Sequence, residues 1–318
     1  IYAQFCDIIL SMPQYSVGQA IKCCRERKNI SQTILCDGIC SVGTLSRIEN
    51  GQQNPSATMM EALLERLGLP IGLYNIPVTE VRFKRALLEQ QITHILAGLG
   101  NDIEKMLEEY ANLPEPMDKF EQQFYQFMTG VQKHFERFAP EKVLSYYLDA
   151  LKITYPKFDL NALPEEKYFT ELELIILNNI ALEERRFGNN GKAEEILFYL
   201  KEYYESDKLD DASGGRQYPV ILANLANWME AAGRFQEEYE IAKLGLDFCI
   251  GEGKLSLVDV MAFNTGYSLI HLGKKEEGIK YIDQAFSIME LKGQKRRIEQ
   301  NLEYVQKVIP YERPTHKF

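Results

Sequence analysis

The sequence predicts an all-α protein: a head of short helices at the N-terminus, followed by a longer array of paired helices. Three observations predict it. Apolar residues recur at helical spacing along the chain, and no segment shows the alternation of a strand. The first seventy residues are punctuated by helix caps and stops at short intervals. Beyond them, one Asn-to-Gly pattern returns at a near-constant distance.

The head is read first. Val17, Ile21 and Cys24, interleaved with Gln19, Lys22 and Arg25, form the apolar stripe of a helix that ends near Lys28-Asn29. Ser31 is placed to cap a short helix from Gln32 to Cys36, with Ile34 and Leu35 inward and Asp37-Gly38 as its stop. Ser41 caps a third helix, Val42 to Glu49, which Asn50-Gly51 closes. Pro55-Ser56 opens a fourth, whose apolar face is Met59, Met60, Leu63, Leu64 and Leu67. Short helices joined by tight turns are the layout of a helix-turn-helix domain, which delivers one helix to the major groove of DNA.

The residues Ser31-Gln32, Ile39-Cys40-Ser41, Leu45-Ser46-Arg47-Ile48-Glu49-Asn50-Gly51 and Pro55-Ser56 carry a resemblance. The string is similar to the XRE/Cro-type helix-turn-helix family, and above all to the peptide-pheromone regulators of the RRNPP (PlcR, Rgg and Rap) kind. The resemblance implies that Gln32 contacts phosphate and braces the recognition helix. It implies that Ser41, Val42, Gly43 and Thr44 face base edges, with Ser46, Arg47 and Asn50 completing the DNA-facing set. It also implies a buried ion pair between Arg25 and Glu49. The reading side chains are small, so Arg47 is the main candidate for a bidentate contact to guanine, with a phosphate clamp as its alternative role. Gly43 is a departure at a reading position, and Val42 or Thr44 is suited to a thymine methyl.

Residues 1–70 are therefore assigned to the DNA-binding head, 71–116 to linker helices and 117–318 to a sensing and dimerising array. Val78 to Tyr110 reads as helical, with Phe83, Leu87, Leu88, Ile92, Ile95 and Leu96 at helical spacing and Gly98-Leu99-Gly100 as a break. In the array, Asn179 precedes Gly188, Asn224 precedes Gly233 and Asn264 precedes Gly273, always by nine positions. A small residue, Ala181, Ala226 or Gly266, follows each Asn by two. This is a tetratricopeptide (TPR)-like pattern with helices longer than the ~34-residue consensus allows, and it predicts an α-solenoid of helix pairs. Residues 117–156 form a degenerate earlier repeat, and Arg296 to Val308 a C-terminal capping helix.

Stacked pairs present a concave groove lined by the first helix of each pair. Asparagine costs roughly 0.5 kcal/mol against alanine inside a helix, so three in one register ask for a reason. An amide offers both a donor and an acceptor to the backbone of a bound peptide. The resemblance implies such a role for Asn179, Asn224 and Asn264, with Asn178, Asn227, Arg185 and Tyr267 at neighbouring inner positions. Bonding between helices is the alternative for each amide.

Charge and composition frame the function. The chain has 318 residues, 45% hydrophobic and 26% charged, with a net charge of −10. The first seventy residues balance Lys22, Arg25, Arg27, Lys28, Arg47 and Arg66 against six acids, so the whole excess lies beyond residue 70. Affinity for double-stranded DNA must then come from local placement and from doubling the head in a homodimer on an inverted-repeat operator. The six cysteines suit free thiols in a reducing compartment, and Cys36 and Cys40 read as core rather than metal ligands. No apolar run approaches a membrane span, and the opening segment Ile1 to Leu10 reads as a helix flank rather than a signal peptide. A cytoplasmic location is expected. No nucleotide loop, metal-ligand motif or catalytic constellation is present, and the four histidines are scattered, so neither an enzyme nor a cofactor is expected. The resulting expectation is a transcription regulator controlled by a short signalling peptide. The alternatives are a TPR interaction scaffold, or a phage or mobile-element repressor with no peptide ligand.

Overall fold

Three serines set the helix starts of the head. Ser31, Ser41 and Ser56 each hold an extended backbone and accept a hydrogen bond from the amide three residues on, at 3.2, 3.1 and 3.2 Å. In this computed structural model, which describes residues 17–67, 80–97, 103–165, 167–206 and 217–313, they follow α1 (Val17–Arg27) and open α2 (Gln32–Cys36), α3 (Val42–Glu49) and α4 (Ala57–Arg66). The opening segment, the connector at 71–77 and the Gly98-Leu99-Gly100 break lie outside the described residues. Ile21, Leu35, Leu45, Leu63 and Leu64 are fully buried in one cluster at the centre of the head. Helix α1 can cross α3 closely because Gly18 has no side chain: a Cβ there would lie 1.8 Å from the Ile48 carbonyl oxygen.

The remaining helices are α5 (Glu80–Ala97), α6 (Glu104–Ala111), α7 (Lys119–Phe135), α8 (Pro140–Thr154), α9 (Glu171–Phe187), α10 (Asn190–Glu205), α11 (Tyr218–Ala231), α12 (Phe235–Gly251), α13 (Val258–His271), α14 (Lys275–Leu291) and α15 (Lys295–Gln306). Among the described residues there is no strand, only a single bridge between Asp159 and Ala162. Nor is any helix among them long and apolar enough to cross a membrane. The chain divides inside α10 into two compact units, one ending at Ala193 and the other beginning at Glu194. In the first, α7 packs on α8 and α8 on α9, alongside the head. In the second, α11 to α15 pack in sequence, and α11 also meets α13.

The second unit has a shorter period than the Asn-to-Gly pattern reveals. Gly233, Gly253, Gly273 and Gly293 stand twenty residues apart, and each takes a left-handed φ between 65° and 83°. At each, the glycine amide bonds back three residues, and the following amide bonds back five, as in Arg234 to Met229 and Lys274 to Leu269. This pair of bonds satisfies the last carbonyls of the preceding helix and reverses the chain. A Cβ-bearing residue at these four sites would be strained.

Candidate nucleic-acid interface and ligand cleft

Helix α3 carries the residues expected to face DNA. Ser41, Val42, Gly43, Arg47 and Asn50 are exposed, while Thr44 and Ser46 are half-buried. A chain of hydrogen bonds crosses this face. Ser41 Oγ lies 2.9 Å from Thr44 Oγ1, Arg47 Nη2 donates to Thr44 Oγ1 at 3.3 Å, and Arg47 Nε donates to Gln53 Oε1 at 3.0 Å. The guanidinium is thereby aligned along the helix before any ligand arrives. Gln53, in the loop after α3, had no place in the sequence reading because its role depends on how that loop folds back. Gly43 stands in open space: a Cβ would meet nothing closer than Ser41 Oγ, at 3.9 Å.

Behind the face, Glu49 (2% exposed) ties the head together. Arg25 meets it with two bonds, Nε to Oε1 at 2.6 Å and Nη2 to Oε2 at 2.9 Å, and sends Nη1 to the Ile30 carbonyl at 3.0 Å. The hydrogen bonds Arg25 donates to Glu49 hold its pKa above the ordinary value. Gln32 Nε2 donates to Glu49 Oε2 at 2.7 Å, so Gln32 braces α3 through the same carboxylate. Arg25 and Arg66 are both spent on internal bonds, which leaves Arg47 as the cation on the exposed face of α3.

The back of the head is fastened to the first repeat helices. Arg66, fully buried, donates to the carbonyls of Leu35 and Asp37 and pairs with the fully buried Glu173 of α9 at 3.4 Å. Burial opposes charge on Glu173, but Arg66 and Lys167 outweigh it and hold the carboxyl below its ordinary range. Lys119 donates to the carbonyls of Gly38 and Ile39, and Lys167 pairs with Asp37 at 3.4 Å. Burial lowers both lysine pKa values. Gly38 sits so close to the end of α8 that a Cβ would come within 1.7 Å of the Thr154 carbonyl oxygen. Helices α7 and α9 present capped N-termini here. Thr58 donates to the cap residue Asp118, and Glu65 accepts from the Glu171 amide at 3.3 Å. Burial pushes the Glu65 carboxyl up to about 7 despite that bond.

The asparagines divide between the units. In the first, Asn178 is buried, Arg185 is half-buried, and Asn179 donates to its own helix at the Ile175 carbonyl, 2.8 Å away. In the second, Asn224 is half-buried, and Asn227 and Asn264 line an open cleft of about 710 Å³ between α11, α13 and α15. Asn264 Nδ2 donates to Asn227 Oδ1 at 3.0 Å. Asn301 of α15 lies on the same cleft, and sequence reading missed it. The reason is geometric. In the second unit the repeats recur every 40 residues, yet residues sharing a level of the cleft differ by 37, because each successive helix is displaced by about one turn. Asn227, Asn264 and Asn301 form one tier with that offset, and Glu230, Tyr267 and Tyr304 form the next. Tyr267 and Tyr304 stack with ring centroids 4.9 Å apart, and the Tyr304 hydroxyl donates to Glu230.

Residues 21–74 match the helix-turn-helix family. No curated protein sequence matches the chain significantly. Among solved structures, Bacillus thuringiensis PlcR in complex with the peptide PapR7 and DNA is similar at 17% identity, over 90% of this chain and 99% of that one, with a TM-score of 0.57. The apo form of the same protein gives 18% identity over 89% and 98%, with a TM-score of 0.53. The pheromone receptor Rgg2 of Streptococcus dysgalactiae gives 17% over 92% and 100%, with a TM-score of 0.46. Residues 21–74 are thus a helix-turn-helix domain, and over 90% of its length the chain is similar in fold to PlcR.

Proposed function

We propose that the protein is a transcription regulator that binds DNA through α3 as a homodimer and answers to a short signalling peptide held by its helical repeats. The observation that carries this reading is the state of α3. Its N-terminal face is open to solvent with Arg47 already oriented, while its inner face and the back of the head are packed or clamped. The PlcR structure of the same fold was solved with both DNA and a peptide, which supports assigning the same pair of partners to this chain. In this reading Ser41, Val42, Gly43, Thr44, Ser46, Arg47 and Asn50 form the DNA-facing set, with Gln32 bracing it. Asn227, Asn264 and Tyr267 belong to the peptide-binding set, as do Asn224, Asn178, Asn179 and Arg185. The work of such a regulator lies in the cytoplasm, where both DNA and an imported peptide are met.

Selection of bound sequences from a random duplex pool, followed by binding of the selected duplex to the full chain and to Arg47→Ala, tests the DNA half. A lost bidentate contact is worth about 1–3 kcal/mol, which is roughly 5- to 150-fold in affinity. Unchanged sequence-specific binding by Arg47→Ala, in a variant that melts like the native chain, would remove α3 from the interface. The peptide half is tested by titrating short peptides from culture extract against the full chain and against Asn264→Ala. Equal affinity for the two proteins would move the ligand away from this cleft.

A further inference from the structure

The charge of the second unit's cleft is unbalanced at one end. Glu230 is half-buried on its wall, and the hydrogen bond its carboxylate accepts comes from a neutral group, the Tyr304 hydroxyl. Among the described residues no cation pairs with it. The basic residue of the cleft, Arg297, is committed elsewhere: its Nη1 meets the fully buried Asp259 at 3.0 Å, and Lys292 shares that carboxylate. The neighbouring acid adds no charge of its own. Glu238 is fully buried, and neither of its oxygens has a hydrogen-bond partner. It occupies the position five residues after the turn glycine, where the other two repeats carry Ala193 and Gly278. Burial, and then the charge of Glu230, push Glu238 up to about 9, so it is uncharged at neutral pH. Burial also lowers the His271 pKa, against the charge of Glu230, which raises it.

We propose that this cleft takes a peptide bearing a positive charge, with a lysine ammonium or a free N-terminal ammonium seated on Glu230. The proposal rests on the peptide reading above and adds the chemistry of the ligand. An ammonium at Glu230 would neutralise the one unpaired charge of the wall. It would also lie beside the stacked rings of Tyr267 and Tyr304, whose faces attract cations. The adjacent tier of Asn227, Asn264 and Asn301 presents amides to the main chain that follows, whatever its sequence. Helix α15 is then part of the ligand site, since it supplies both Asn301 and Tyr304.

The test is an equimolar pool of heptapeptides made of neutral residues plus a single Lys, Gln or Glu, offered to the immobilised full chain and read by mass spectrometry of what is retained. Every peptide is C-terminally amidated, and the pool is made once with acetylated and once with free N-termini. Enrichment of Lys over Gln members by tenfold or more in the acetylated pool is expected if a side-chain ammonium is the ligand group. Enrichment of free over acetylated members, without Lys preference, is expected if it is the terminal ammonium. In either case Glu230→Gln should abolish the preference, while Asn301→Ala should weaken all classes alike. Retention of peptides with no preference for charge, or with preference for Glu, overturns the inference and leaves the groove reading standing. A preference that survives in Glu230→Gln also overturns it. Retention of no peptide class removes the groove reading and this inference with it.

Discussion

In the first unit, three buried arginines each meet a carboxylate, although Arg66 Nε and Arg85 Nε are left without a partner. Arg25 meets Glu49, Arg66 meets Glu173, and Arg85 meets Glu121 at 2.7 Å while also bonding the carbonyls of Glu115 and Pro116. In the second unit Asp259 is closed in the same way, but Glu238 is buried with nothing to bond, and Glu230 faces an open cleft. The contrast separates two uses of polar residues. A closed buried pair adds little net stability, but its geometry is unique, and breaking one partner is expensive. It suits a head that must hold α3 in one orientation. An unclosed carboxylate or amide leaves bonding capacity for a ligand, at some cost to the free protein. In the function proposed above, the first unit keeps an arrangement and the second receives a ligand.

The closed sets can be broken most decisively at Arg66. Arg66→Met leaves Glu173 buried without its arginine and frees the carbonyls of Leu35 and Asp37, with an expected loss of about 3–5 kcal/mol in urea denaturation. Arg66→Met combined with Glu173→Met should recover most of that loss. A single variant costing under about 1 kcal/mol would mean that charge does not fix the head on α9.

Glu238 sharpens the other side. Its folded-state pKa is raised above the unfolded value, so the folded state binds the proton more tightly, and this group's contribution falls as pH climbs from the carboxylate range toward about 9. The slope is at most about 1.4 kcal/mol per pH unit. Calorimetric midpoints measured from pH 5 to pH 8.5 should therefore converge or cross for native protein and Glu238→Gln, with the variant gaining toward alkaline pH. Parallel curves would show that the carboxyl is solvated or paired in solution.

Much of this was legible in the sequence, for identifiable reasons. Ser31, Ser41 and Ser56 mark helix starts by local hydrogen bonding alone, so the bounds of α2 and α3 can be read directly. Gly188, Gly233 and Gly273 mark turns for the same local reason. Gly253 and Gly293 carry an equal signal, but no asparagine precedes them at the searched offset, so the twenty-residue period went unread. What the sequence concealed is non-local. The 37-residue tiers depend on how successive helices slide, which no chain-wise alignment contains. Asn301 was therefore missed, and Asn224 was aligned with Asn264 although Asn227 is its bonding partner. The clamp of Lys119, Lys167 and Arg66 on the Asp37–Ile39 turn joins residues up to 130 positions apart, and nothing local announces it. Gly18 is an unfavourable residue inside a helix, and only the crossing with α3 gives it a reason.

Two glycines of the head carry the comparison down to its smallest scale, because one closes a contact and the other leaves a space. Gly18→Ala would place a methyl 1.8 Å from the Ile48 carbonyl oxygen, and that oxygen belongs to backbone, so α1 and α3 must separate. Overpacking of this kind costs about 1–3 kcal/mol or more. Since the same crossing sets the register of Arg25 against Glu49, the loss should appear as lower thermal stability and weaker DNA binding together. Gly43→Ala meets no atom closer than 3.9 Å, and alanine is the better helix former by about 0.5–1 kcal/mol, so the melting midpoint should rise slightly. DNA affinity then becomes informative in its own right. Unchanged affinity in the stabilised Gly43→Ala variant would mean that α3 stands off the groove floor at this position. A fall in affinity without loss of stability would mean that the helix backbone itself approaches the DNA at Gly43, which gives the absent side chain a function.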